Sequence, residues 1–334
     1  MVTESIQKSA KCFVIASVVL VLVLPRFAGA QNYSPFSYPN ISNAIVQASG
    51  GPNPGYSVGS ADIFINPALL AVHTRNELQL SNSLNLLSVS ASSLSFSSQL
   101  STAGRIGFGL LNLDQPGLQQ YNSLENTFNS FDNKEFIAVI GYARRFNSLS
   151  LGLSAHYSRR ELYERNFNSV FDELQLNFGL HYQAAPYLSL GFYVRNAFQF
   201  LALREYSAAA PRRYSVGISW NPAFDMLRNM NLLFTMEYAA GQPVRINSGV
   251  VLTLFQNLET LKKFNIRAGL GNYRLGKQKN MESFEIYLLN KPVLSIGAGV
   301  EIKMHKKLSL EIDYCFQLVE YVNNQHSFTT RLLF

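Results

Sequence analysis

Chemistry in this chain would have to come from few reactive side chains. The five histidines, His73, His156, His181, His305 and His326, fall in five separate segments, with no cysteine or carboxylate pair at metal-ligand spacing. His156 and His181 occupy neighbouring strand-like runs. Folding that hairpin about residue 165 sets His156 opposite residue 175 and His181 opposite residue 150, roughly 20 Å apart, so no metal site is expected. Gly152-Leu153-Ser154-Ala155-His156 places a serine and a histidine two apart on one strand face, without the G-x-S-x-G turn that presents a nucleophile. Small polar lumen residues account for that string better than a hydrolase does. Gly107 with Gly109, Gly269 with Gly271 and Gly297 with Gly299 lack the third glycine of a phosphate loop. At spacing two on one parity, such glycines free interior volume or let a sheet bend. The expectation is a non-enzymatic protein with no catalytic residue, cofactor or metal.

The remaining candidates are charges that project to one side by parity. These are Glu135, Glu173, Arg195, Glu237, Arg245, Arg267, Glu301, Lys303, Lys307, Glu311, Asp313 and Arg331. Mixed charges on an inward face either form ion pairs that fill a barrel or line a polar passage. The choice between them depends on the elements that carry these residues.

Those elements read as long β-strands. In the last stretch, Leu308, Leu310, Ile312, Tyr314, Phe316 and Leu318 share one parity, while Ser309, Glu311, Asp313, Cys315 and Gln317 share the other. A period of two gives a strand with one oily and one polar face. The run is about twelve residues, against about five or six for an ordinary soluble strand and about nine to eleven for a tilted strand crossing a bilayer. Leu149 to Tyr157, Leu188 to Val194 and Leu294 to Ile302 repeat the theme. About fourteen such runs follow residue 76, with approximate spans 76–86, 89–99, 103–113, 135–146, 149–160, 171–182, 187–198, 212–220, 230–239, 245–254, 263–273, 292–303, 307–318 and 325–334. Phe284 to Leu289 could form a further strand piece. The last strand still alternates at Phe334, as expected of a closed sheet whose last strand pairs with its first.

Gaps between these runs alternate. Long ones at 114–134, 161–170, 199–211 and 274–291 lie opposite short ones at 100–102, 147–148, 183–186, 255–262 and 304–306. Outer-membrane barrels have this asymmetry, with short periplasmic turns and longer extracellular loops. An even strand count puts both termini on the short-turn side. The fold class expected is therefore all-β, a transmembrane antiparallel up-and-down barrel of about 14 strands.

Composition agrees. Hydrophobic residues make up 47% and aromatics 13% of the chain, with only 15% charged. After the N-terminus no stretch reaches the eighteen consecutive apolar residues of a membrane helix. Residues 1–30 read as a cleaved signal peptide: Lys8 and Lys11, the apolar run Cys12 to Pro25, then Ala28-Gly29-Ala30. Residues 31–75 form an irregular arm with a short helical element around Asn66-Pro67, and 76–334 form the barrel. The net charge of +7 is spread as single residues and pairs, which suits loops, lumen and acidic lipid headgroups rather than nucleic acid. Cys315 remains alone once the signal peptide is removed, so no internal disulfide can form.

The string Ser60-Ala61-Asp62-Ile63-Phe64-Ile65-Asn66-Pro67-Ala68-Leu69-Leu70-Ala71, placed before the first strand, resembles the N-P-A-G-L-A signature of FadL-like outer-membrane proteins. With the Asp313-Tyr314 strand and the His326-Ser327-Phe328 strand ending at Phe334, it is most similar to the PorV/PorQ branch. Leu69 stands where that signature has glycine. The resemblance implies a fourteen-stranded barrel with an N-terminal plug in its lumen, carried by Asn66, Pro67, Ala68, Leu70 and Ala71. It also implies an integral protein of the bacterial outer membrane, in contact with its lipid. A PorV/PorQ-type role in type IX secretion, with secretion-system proteins or exported cargo as partners, is the reading favoured here. The alternative is a FadL-like channel taking up hydrophobic small molecules.

Overall fold

The computed structural model describes residues 42–84, 90–100, 104–122, 127–164, 167–202, 212–222, 229–239, 242, 244–256, 260–275, 292–305, 308–318 and 324–334. Residues 1–30, expected from sequence as a signal peptide, residues 31–41, Lys307 and Phe284 to Leu289 lie outside them.

Fourteen antiparallel strands close into one barrel in which each pairs with its neighbours in sequence and β1 pairs with β14. They are β1 (Glu77–Leu84), β2 (Ser90–Leu100), β3 (Gly104–Asn122), β4 (Thr127–Phe146), β5 (Leu149–Glu164), β6 (Phe167–Ala185) and β7 (Leu188–Ala202), then β8 (Arg213–Trp220), β9 (Met230–Ala239), β10 (Val244–Gln256), β11 (Leu261–Leu275), β12 (Val293–His305), β13 (Leu308–Leu318) and β14 (Gln325–Leu333). The β5–β6 register sets His156 opposite Gln175 and Ser150 opposite His181, as the sequence spacing requires. Alternation decides which face is which. On β14 the burial runs buried, exposed, buried, exposed from Gln325, and Ile140 and Leu153 on the outside are 63% and 60% exposed. A continuous apolar exterior over so many strands suits contact with lipid, since water would oppose it by about 25 cal/mol per Å². Among the described residues no helix is long and apolar enough to cross a membrane.

Strand lengths differ from expectation on one side. β3, β4 and β6 run 19, 20 and 19 residues, so most of the expected 114–134 loop is hairpin. Outward-facing Asp114 lies in register with Lys134, and Lys134 with Glu161, so charge replaces the apolar band at this level. Beyond it β3 continues eight residues to Asn122, roughly 26 Å along the strand. Outside lipid no face has to be apolar, so these strands pair without the period that marks the rest. On β7, Phe178 pairs with Val194 while Leu176 pairs with Phe198, a bulge at Arg195 to Ala197 with Asn196 at φ 57°.

The barrel holds a segment of its own chain. Residues 42–76 contain helices α1 (Ala44–Ala48) and α2 (Asp62–Ile65) and a 3-10 helix (Pro67–Val72), nearly all buried. Asn43 caps α1 by accepting from the Ile45 and Val46 amides at 2.9 and 3.2 Å. The segment leaves the lumen at Asn76, which exchanges two 3.0 Å backbone bonds with Phe334.

Candidate functional site in the lumen

Glycines seat this segment. Gly107 pairs with Gly141, Gly152 with Gly179, Gly191 with Gly217 and Gly249 with Gly269, so a belt of inward-facing bare backbone runs over β3 to β8 and resumes on β10 and β11. A Cβ at Gly152 would lie within 3.0 Å of Ala68, at Gly179 of Asn66, at Gly191 of Pro54 and at Gly249 of Ser49. The Gly107/Gly109 and Gly269/Gly271 pairs belong to the same belt, under Leu70, Phe64 and Gly50. These glycines free volume, and a main chain occupies it.

Side chains then fasten the segment. Asn66 Oδ1 accepts from the Ala68 amide at 3.1 Å and so caps the 3-10 helix, while its Nδ2 donates to the carbonyls of Pro54 at 2.7 Å and Leu180 on β6 at 3.1 Å. Pro67 follows at a position where no amide is needed. Ala68, Leu69 and Leu70 are fully buried and Ala71 partly so. Leu69 fits where the signature has glycine because its backbone is helical, outside the left-handed region. Asn53 Nδ2 donates to the carbonyls of Ile218 and Phe234, both at 3.1 Å. On the β3–β4 side the contact is apolar: Ile63, Phe64, Ile65 and Leu70 pack with Leu111, Ile137 and Val139.

The inward charges fall into four groups. Arg267 and Asp313 pair at 2.5 Å, Arg331 and Glu311 at 2.5 Å, and 3.7 Å contacts join Arg267 to Glu311 and Arg331 to Glu77. Glu301 meets Arg75 at 3.0 Å and Lys262 at 3.5 Å. Glu237 lies between Arg213 and Arg245 at 3.4 and 3.3 Å, and Arg160 is 3.4 Å from Glu135. Glu173 accepts from Gln199, and Arg195 is buried at the start of the β7 bulge. Lys303 departs from expectation: it keeps the inward parity of Glu301 and pairs in register with Ser309, but at the short-turn rim it is exposed.

Ser154 Oγ and His156 Nε2 are 3.1 Å apart and buried, and His156 Nδ1 has no hydrogen-bond partner among the described residues. A second serine, aspartate and histidine meet inside the segment. Asp62 accepts from the Val58 amide at 2.9 Å, from Ser57 Oγ at 2.6 Å and contacts His73 Nε2 at 2.8 Å. Ser57 also contacts that same nitrogen, at 3.1 Å. In a catalytic triad serine and carboxylate face opposite ring nitrogens. This cluster braces a loop. Among the described residues no three potential metal ligands come together.

A cavity of about 240 Å³ lies between the segment and β11 to β1, near the short-turn end, lined mainly by charged and polar groups including His73, Arg75, Glu77, Lys263, Arg267, Glu301, Glu311 and Arg331. Tyr56 also borders it; desolvation pushes its phenol above the ordinary value, with Arg267 and Arg331 opposing. Arg105 on β3 grips the segment's exit, donating to the carbonyls of His73 and Arg75. Glu77, Arg105, Arg213 and Lys263 were legible by the same parity rule, within two residues of strand starts. Asp62, His73 and Arg75 belong to irregular chain, where no period points to them.

No family model and no curated protein matches this chain. Solved structures do. A TodX monoaromatic hydrocarbon channel mutant lacking S2 and S3 superposes with TM-score 0.60 at 15% identity, covering 88% of this chain and 98% of that one. The Ralstonia pickettii toluene transporter TbuX gives 0.58 at 12%, covering 89% and 99%. A Pseudomonas aeruginosa FadL homologue gives 0.51 at 12%, covering 91% and 99%. The likeness is one of architecture, which in this chain is a closed antiparallel barrel of fourteen strands. Among those barrels the comparisons do not single out the PorV/PorQ branch.

Proposed function

We propose that this protein is an integral outer-membrane barrel of FadL type that passes hydrophobic small molecules. The observation that carries the reading is the apolar facet inside the barrel. Leu111, Leu113, Ile137 and Val139 face inward on β3 and β4, next to Phe64 and Ile65 of the lumenal segment. A lumen built only for water and ions is polar on this face. The fold likeness to hydrocarbon and toluene channels supports the same reading. The lumenal segment acts as the plug that such a passage requires. The PorV/PorQ secretion role, favoured from sequence, rests on short strings at the two ends of the barrel, and the structural likenesses favour the alternative.

The test is uptake of radiolabelled toluene by cells carrying the protein in their outer membrane. Wild type should raise the initial rate over vector cells, and Leu111→Gln with Ile137→Gln should lower it at equal surface abundance. Equal rates with and without the protein would reject the channel. Retention of exported proteins in the periplasm of a deletion strain would favour secretion.

A further inference from the structure

Charge in the cavity does not balance. In the β11–β12 register Lys263 lies opposite Glu301, yet Glu301 is already held by Arg75 at 3.0 Å and Lys262 at 3.5 Å. Three cations therefore surround one carboxylate. The neighbouring acids already have closer partners. Glu311 is taken by Arg331 and Arg267, and Glu77 accepts from the Ser60 amide at 2.7 Å with Arg331 alongside. Among the described residues Lys263 has no ion pair and no hydrogen bond, and it is exposed to the cavity it lines. Ser309 sits between its neighbours, accepting from Arg75 and from Lys262, each at 3.2 Å. Ser309 and Lys262 lie behind the lining; at the cavity itself Lys263 is a cation whose opposite acid is already held, and that excess forms a seat for an anion.

We propose that this cavity binds a small hydrophilic oxyanion, a carboxylate or phosphate group, against the Lys263 ammonium at the short-turn mouth of the barrel. The volume of about 240 Å³ admits such a group with several waters. The polar lining disfavours a bare hydrocarbon there, so this seat is separate from the apolar facet and does not depend on hydrophobic passage.

The test is the rate at which an amine-acylating reagent labels Lys263 in the detergent-solubilised full chain, read by mass spectrometry. Exposed Lys303, outside the cavity lining, is the internal control. At equal ionic strength, phosphate or acetate in place of chloride should slow Lys263 labelling by the factor 1 + [L]/Kd, about tenfold once the anion is about tenfold above Kd, and leave Lys303 unchanged. Arg75→Gln should weaken the protection, with gel mobility showing the barrel intact. Protection by acetate alone assigns a carboxylate ligand, by phosphate alone a phosphate, and by both any small oxyanion. No protection, or equal slowing at Lys303, overturns the proposal whatever the toluene measurement gives.

Discussion

Replacing Gly191 with alanine tests the belt that seats the lumenal segment. The new Cβ would fall inside 3.0 Å of the Pro54 carbonyl and the Gly55 nitrogen, all backbone atoms that cannot rotate away. The segment must lift. Lifting strains the bond from Asn66 Nδ2 to Pro54 O at 2.7 Å and that from Ser189 Oγ to Gly55 O at 2.7 Å. Overpacking costs about 1–3 kcal/mol and each hydrogen bond about 1, so seating weakens by about 3–5 kcal/mol. About 3 kcal/mol is roughly a hundredfold in the open population. The wall itself keeps its ladder, because Gly191 stays in register with Gly217. Hydrogen exchange in detergent, read over residues 53–69, should therefore accelerate by about two orders of magnitude. The temperature at which the heat-modifiable gel band unfolds should stay put. Gly141→Ala is the control, since its Cβ comes no closer than 3.1 Å to Leu153 O and 3.3 Å to Ile63 Cγ1 and Ser154 Cβ. Unchanged exchange in Gly191→Ala, or equal acceleration in Gly141→Ala, would refute the reasoning.

Asn66→Ala removes a cap and two donations to carbonyls, about 2–3 kcal/mol, and should speed exchange over Pro67 to Val72 with the barrel still closed on gels. Asp313→Ala leaves Arg267, whose side chain is 3% exposed, with only its 3.7 Å contact to Glu311, so the barrel should lose about 3 kcal/mol and its gel band should unfold at lower temperature. Replacing both with leucine should recover much of that loss in the same assay, as no unpaired charge then remains. Arg105→Gln releases the carbonyls of His73 and Arg75, and a protease added to the short-turn side of reconstituted vesicles should cut near residue 75 faster than in wild type.

The strands, their order and their faces were legible in the sequence because lipid outside and polar filling inside impose opposite demands on alternate residues. That pressure marked the wall from Glu77 to Leu333, the β5–β6 register and the inward set around Arg267, Glu311, Asp313 and Arg331. It stops where lipid stops, so the upper parts of β3 and β4 read as loop although they pair from Gln115 with Asn133 up to Asn122 with Thr127. Asn66-Pro67 signalled a helix start by local chemistry alone, and the 3-10 helix begins there. What only the tertiary structure decided is what the interior holds. Glycines at period two announce missing volume, but not that Ser49, Pro54, Asn66 and Ala68 fill it. Likewise parity places Lys263 inward without revealing that Arg75, from a segment nearly two hundred residues away, has already taken the acid opposite it. Contacts between irregular chain and a closed wall join residues far apart in sequence and leave no period in the segment, so the pairing of partners is set by the tertiary structure.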